Sequence, residues 1–135
     1  MPTHLKSLIP KLANQTILVI GDVILDEYVI GQATRMSREA PIPVLEFESR
    51  QYIAGGSANP SANIVNLGSR ALQVGIIGDD DSGKQLTHVL QSKGIDTTGL
   101  IICHDRPTTV KTRIMAQMGL RFPQQVARID TLSRD

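Results

Sequence analysis

The run Ala54-Gly55-Gly56-Ser57-Ala58-Asn59-Pro60-Ser61-Ala62-Asn63-Ile64-Val65-Asn66-Leu67-Gly68 constrains this chain more than any other, because it reads as a loop feeding directly into a helix. Gly55 and Gly56 carry no Cβ, so the backbone there can take positive φ and a ligand can lie against the main chain. Pro60 suits the first helical position, Asn59 precedes it as a cap, and Gly68 fits the stop. Amides at such a helix start, with the Asn59 side chain, can hydrogen-bond a polyhydroxylated or anionic ligand. The same residues also suit a turn and an amphipathic helix with no ligand.

Around this run the chain alternates strands and helices. Thr16-Ile17-Leu18-Val19-Ile20 is a continuous, β-branched apolar run, which predicts a strand covered on both faces of a parallel sheet. It ends at Gly21-Asp22, and ligands of open α/β sheets bind beyond the carboxyl ends of strands, so Asp22 stands where a carboxylate can grip a hydroxyl or simply cap a turn. Before it, Leu5, Leu8, Ile9 and Leu12 fall at helical spacing interrupted by Pro10, which predicts a short amphipathic packing helix. Leu25 to Gln51 shows no helical period, and Leu45-Glu46-Phe47-Glu48 alternates, so a β insertion is expected there. Ala71 to Ile77 reads as a second buried strand. Asp81 to Lys93 reads as a helix with Leu86, Val89 and Leu90 inward and Gly94 as its stop. Leu100 to Cys103, Thr108 to Met115 and Gln125 to Asp130 read as further strands. This order defines an α/β fold.

On the strand from Thr108, Lys111 and Arg113 share one face. Paired cations there can bind a phosphate, for which Arg is well shaped, or can face solvent and protect an edge strand from aggregation. Gly78-Asp79-Asp80-Asp81-Ser82-Gly83-Lys84 has the Gly-x-x-x-x-Gly-Lys spacing of a phosphate loop. That reading fails, because Gln85 stands where magnesium needs Ser or Thr and three carboxylates would repel phosphate. Nor is it an EF-hand, since the twelfth position from Asp79 is Leu90. His4, His88 and His104 lack metal-ligand spacing, so no metal site is assigned.

Asn59, Ser61, Gly68 and Gly78 together resemble the first signature of the PfkB (ribokinase-like) carbohydrate kinases, in which Ser57 replaces the usual Gly, Ala or Pro. Gly78, Asp80 and Gly83 then match a Gly-x-Asp-x-x-Gly turn of that family. The stretch from Ala33 to Val44 is similar to the heptose 7-phosphate kinases of lipopolysaccharide core synthesis, in its Arg35, Ser37, Glu39-Ala40-Pro41 and Pro43-Val44 series, with Arg38 in place of a proline. Arg128 and Asp130 resemble the Arg-x-Asp segment of the same kinases. The resemblance implies the N-terminal half of a ribokinase-like Rossmann-type sandwich with a β-strand lid over about residues 25–51. It implies substrate contacts from Asp22, Ser37, Glu39, Gly55, Gly56, Asn59, Lys111 and Arg113, acting on heptose 7-phosphate or another sugar. The family's catalytic Asp, in a Gly-Ala-Gly-Asp turn, and its nucleotide pocket have no counterpart in residues 1–135, so the chain is expected to be a partial kinase domain, inactive alone. ATP and Mg2+ are implied for the full-length enzyme and none is expected on this fragment. A homodimer through the β lid is implied as well. A different class of reading is a non-enzymatic binding or dimerisation module.

Composition excludes other classes. A net charge of +1 with interspersed signs gives no basic stripe, and two Phe, two Tyr and no Trp leave few stacking platforms, so a nucleic-acid partner is not expected. No apolar run approaches the roughly 20 residues of a spanning helix, and no signal-like segment opens the chain, so a cytoplasmic protein without a membrane partner is expected. The single cysteine, Cys103, has no disulfide partner in the chain and is expected to be a buried small hydrophobe.

Overall fold

The computed structural model describes residues 6–119 and 122–133. Strand β1 (Thr16–Ile20) leads into a long hairpin of β2 (Val23–Met36) and β3 (Pro43–Gly56), and helix α1 (Ala58–Asn66) follows at once. Then come β4 (Arg70–Gly78), α2 (Asp81–Ser92), β5 (Asp96–Cys103), β6 (Val110–Gln117) and β7 (Gln124–Thr131). They form two sheets, a parallel one in the order β1-β4-β5 and a mixed one in the order β3-β2-β6-β7. The α/β architecture with a β lid is therefore present.

The helices stop where glycine permits it. Gly68 and Gly94 take φ of 85° and 75°, so each leaves the helix through the left-handed region without a Cβ penalty. Both helices pack on one face of the parallel sheet, where alternation along β4 places Ala71, Gln73 and Ile77. Leu86, Val89 and Leu90 of α2 join them in a core that also holds Val23, Leu25, Ala54, Ala58, Ile95 and Val110. Leu25 and Val110 belong to the second sheet, so the base of the lid is welded to the α/β layer.

Several expectations need correction. β1 is not covered on both faces: it is an edge strand, and on the face away from the helices Leu18, Ile20, Ile76 and Ile101 are 45–71% exposed. Its apolar run suits a sheet wider than these three strands provide. The lid is larger than a hairpin of residues 25–51, because β2 pairs in parallel with β6 from Leu25 to Gln32 and antiparallel with β3 from Val23 to Met36. In the N-terminal segment Lys6 is helical and Ile9–Leu12 form a four-residue 3-10 turn without a buried residue, while residues 1–5 lie outside the described residues. Pro10 lacks the N–H that a longer α-helix would use. Two hydrogen bonds tie this segment to the residues just before β4, from Ser69 Oγ to the Leu12 carbonyl at 2.6 Å and from the Asn14 N–H to the Gly68 carbonyl at 2.9 Å. Leu5 lies outside the described residues. Cys103 is half-buried at the end of β5, where the chain leaves the sheet.

Candidate functional site

The Gly-Gly stretch ends β3 and turns into α1 through Ser57. Gly56 has φ +61, and a Cβ there would run into the Asp22 carbonyl oxygen. Ser57 fastens the turn, because its N–H and Oγ–H both donate to that carbonyl, at 2.9 and 3.0 Å. The hydroxyl of Ser57 also accepts from Gln73 Nε2 at 2.8 Å. Gln73 is fully buried in β4, and its Oε1 accepts from Ser61 of α1 at 2.6 Å. Ser57 is thus a hydrogen-bonding hub that ties Asp22, α1 and β4 together, a use that Gly, Ala or Pro could not supply from a side chain.

Helix α1 begins two residues earlier than its proline suggests. Ala58 is its first residue, so Asn59 is the second and Pro60 the third, and neither is a cap. Ser57 occupies the cap position without capping, since its hydroxyl is spent on Asp22. Asn59 stays exposed on the first turn, and the Asp22 carboxylate is exposed with no hydrogen bond or ion pair to a described residue. Both residues are exposed, Asp22 reaching Gly56 through its carbonyl and Asn59 following Gly56 three residues on.

Sequence reasoning gave no role to Asp26. It lies on the face of β2 that points away from the core, with Ile24 and Tyr28, and a Cβ on Gly55 would collide with its carboxylate. The signal was available, as an acidic residue inside the apolar run Val23-Ile24-Leu25-Asp26, but only the hairpin pairing places it over Gly55. Arg113 donates from Nη1 to Asp26 Oδ1 at 2.6 Å and stacks over the Tyr28 ring at 5.1 Å. The hydrogen bond that Arg113 donates to Asp26 raises the Arg113 pKa above its ordinary value, against the opposing effect of burial. Lys111 is beside Asp26 in the register, on the same face. These cations do not guard an edge, because β6 lies between β2 and β7.

The structure thus gathers Asp22, Gly55, Gly56, Asn59, Lys111 and Arg113 around the base of the lid. Ser37 and Glu39 are not part of this group. They form the hairpin tip, where Ser37 Oγ accepts from the Glu39 N–H at 3.1 Å, in an open cleft of about 510 Å³ with Arg35, Arg38 and Val44. At about 3.3 Å per residue, the length of β2 sets that tip on the order of 40 Å from Gly56 along the hairpin.

The Gly-x-x-x-x-Gly-Lys stretch is fastened from within by its own aspartate. Asp80 caps α2, accepting from the Gly83 N–H at 2.7 Å, and also accepts from the Thr108 N–H and Oγ1 at 2.9 and 2.7 Å. Burial acts to raise the Asp80 pKa, but these bonds and the charge of Lys84 hold it below its ordinary value. The amides of Asp79 and Lys84 are taken by the carbonyls of Cys103 and Asp80. Among the described residues no cluster of three or more His, Cys, Asp or Glu is arranged to hold a metal ion. No described helix is long and apolar enough to cross a membrane.

A parallel sheet with a glycine turn at its carboxyl edge, roofed by a mixed β lid, defines a ribokinase-like α/β protein. The chain belongs to the pfkB family of carbohydrate kinases, whose profile matches residues 14–122. It is 44% identical over 119 residues to the bifunctional protein HldE of Helicobacter pylori, covering 88% of this chain and 25% of that protein. It is 42% identical over 118 residues to the HldE of Geobacter sulfurreducens, covering 87% and 23%. The chain therefore spans about a quarter of the length of these curated relatives. Its fold matches a carbohydrate kinase from Agrobacterium tumefaciens with a TM-score of 0.67 and 24% identity, covering 86% of this chain and 35% of the other. It also matches an Arabidopsis thaliana ribokinase complexed with ribose and ATP, with a TM-score of 0.60 and 21% identity, covering 87% and 36%.

Proposed function

We propose that this chain is the sugar-binding and lid portion of an ATP-dependent carbohydrate kinase, acting on heptose 7-phosphate at its anomeric hydroxyl. The observation that carries the reading is the turn at Gly55–Gly56, where the Asp26 carboxylate lies over Gly55 and the exposed Asn59 and Asp22 flank Gly56, the one along the chain and the other through its carbonyl. Carboxylates accept paired hydrogen bonds from sugar hydroxyls, and the missing Cβ of Gly55 leaves the Asp26 carboxylate its place at the turn. Similarity to the HldE proteins supports heptose 7-phosphate as the sugar.

The residues of this chain bind and orient the acceptor and do not transfer the phosphoryl group. That step needs an oriented nucleotide, charge neutralisation at the phosphates and a base for the attacking hydroxyl. Among the described residues no cluster suits magnesium, and in the one loop with phosphate-loop spacing the amides of Gly78, Asp79, Gly83 and Lys84 are already bonded within the protein. In this reading ATP and magnesium are held by other parts of the complete kinase. Met36, Ile42 and Phe47, 56–65% exposed toward the far end of the lid, support its pairing with a second copy.

A coupled ADP-release assay tests the division of labour. The purified chain is expected to show no sugar-dependent turnover of ATP, and turnover at a rate typical of sugar kinases would place the catalytic groups inside these residues and overturn the reading.

A further inference from the structure

Arg113 and Arg128 stand opposite each other on β6 and β7, a juxtaposition of like charges that is destabilising unless each is neutralised. Each has its own aspartate. Arg113 donates to Asp26 at 2.6 Å, and Arg128 pairs with Asp130 through two contacts, Nε–Oδ1 at 2.8 Å and Nη2–Oδ2 at 2.9 Å. Lys111 lies in register between Asp26 and Asp130, half-buried, and its ammonium makes no hydrogen bond or ion pair to a described residue. Three cations share this face, and two of them are committed.

The commitment of Arg113 is the stronger. Its side chain and that of Asp26 are only 20% and 18% exposed, and the Tyr28 ring covers the guanidinium from one side. Moving Arg113 onto a substrate phosphate would leave Asp26 without its partner in a mostly covered position, which is strongly unfavourable. While Arg113 holds Oδ1, the other oxygen, Oδ2, is the Asp26 atom that lies against Gly55.

Resting on the reading of this face as the sugar site, we propose that Arg113 is a positioning residue that clamps Asp26 so that Oδ2 is presented at the Gly55 turn, and that Lys111 rather than Arg113 meets the phosphate of the substrate. A planar guanidinium held by a carboxylate and an aromatic ring fixes orientation, whereas a compact ammonium on a flexible stem suits a point-charge contact with phosphate.

Calorimetric titration of the chain with heptose 7-phosphate, and separately with the same heptose lacking phosphate, tests this. Lys111→Gln is expected to weaken the phosphorylated sugar roughly ten- to a hundredfold, the range of one charge-assisted hydrogen bond, and to leave the other unchanged. Arg113→Gln is expected to weaken both sugars by a common factor, and Arg113→Lys to do the same to a smaller extent. Because Arg113 acts through Asp26, the double variant Asp26→Asn/Arg113→Gln should lose no more than Asp26→Asn alone. A loss confined to the phosphorylated sugar in either Arg113 variant, losses that multiply in the double variant, or unchanged binding in Arg113→Gln would each overturn the assignment. If Arg113→Gln does not fold, Arg113→Lys carries the comparison. The underlying reading fails separately, if the unaltered chain takes up neither sugar or if Asp26→Asn binds both as well as it does.

Discussion

The carboxylate of Asp80 accepts hydrogen bonds from both the backbone N–H and the hydroxyl of Thr108, 28 residues further along the chain, while also capping α2. One side chain thereby joins the β4–α2 turn to the entry of β6. Thr108 is almost fully buried and returns a bond to the turn, its Oγ1 accepting from the Gly78 N–H at 2.9 Å. Gly83 has no room for a side chain, because a Cβ would lie 2.5 Å from the Gly78 carbonyl and 2.9 Å from Thr108 Oγ1.

Asp80→Asn should destabilise the chain by about 1–3 kcal/mol at neutral pH, through loss of charge-assisted bonds and a weakened cap. The sign with pH follows from a folded pKa lowered below that of the unfolded carboxyl, about 3.9. The contribution of Asp80 is complete above that value and is lost as pH falls through the folded one. Urea melts between neutral pH and pH 2 should show the gap between wild type and variant closing below about pH 4. A gap that persists at pH 2 would mean that Asp80 acts through packing.

Gly56→Ala and Gly94→Ala make a matched pair. Both positions have positive φ, but a Cβ on Gly56 meets the Asp22 carbonyl whereas one on Gly94 meets only Val65 Cγ1 at 3.6 Å. Gly94→Ala should cost about 1–2 kcal/mol, the conformational penalty alone. Gly56→Ala should cost more, since backbone must also move. Equal losses in thermal melts would show that the turn relaxes freely around Asp22.

Gln73→Leu removes the acceptor of Ser61 Oγ and the donor to Ser57 Oγ from a fully buried position. The expected loss is about 2–4 kcal/mol, because polar groups lose their partners inside the core. Adding Ser61→Ala should restore part of it, since an apolar pair has no unmet hydrogen bond. A double variant less stable than Gln73→Leu alone would show that packing volume dominates there.

Asp22→Asn keeps the shape of the side chain and removes its charge. With the Asp22 carboxylate unpaired and its carbonyl doing the structural work, stability should change by less than about 0.5 kcal/mol. Affinity for heptose 7-phosphate should fall roughly ten- to a hundredfold. Calorimetry that finds sugar affinity unchanged would reduce Asp22 to the carbonyl that anchors Ser57.

Phe47→Lys at the exposed lid should shift sedimentation of the chain toward the monomer, since a charge cannot be buried against a second apolar surface without a partner. Wild type and variant that sediment alike over a wide concentration range would place any self-association elsewhere.

What the sequence determined by itself was local. The apolar run from Thr16, the inward Leu86, Val89 and Leu90, the stops at Gly68 and Gly94, and the Gly78-Asp80-Gly83 turn each follow from spacing and backbone freedom within a few residues. The resemblance to the family rested on such spacings too, which is why it pointed to the right fold. Tertiary structure decided what depends on distant partners. Pairing of β2 with β6 brought Arg113 to Asp26 across 87 residues and made β6 an interior strand, and no period along β6 carries that information. The length of β2 carried Ser37 and Glu39 away from Gly56, though their residue types suit a sugar site equally well. The bare face of β1 likewise could not be read from its residues, because an apolar run specifies burial while only the assembled sheet shows which faces are covered.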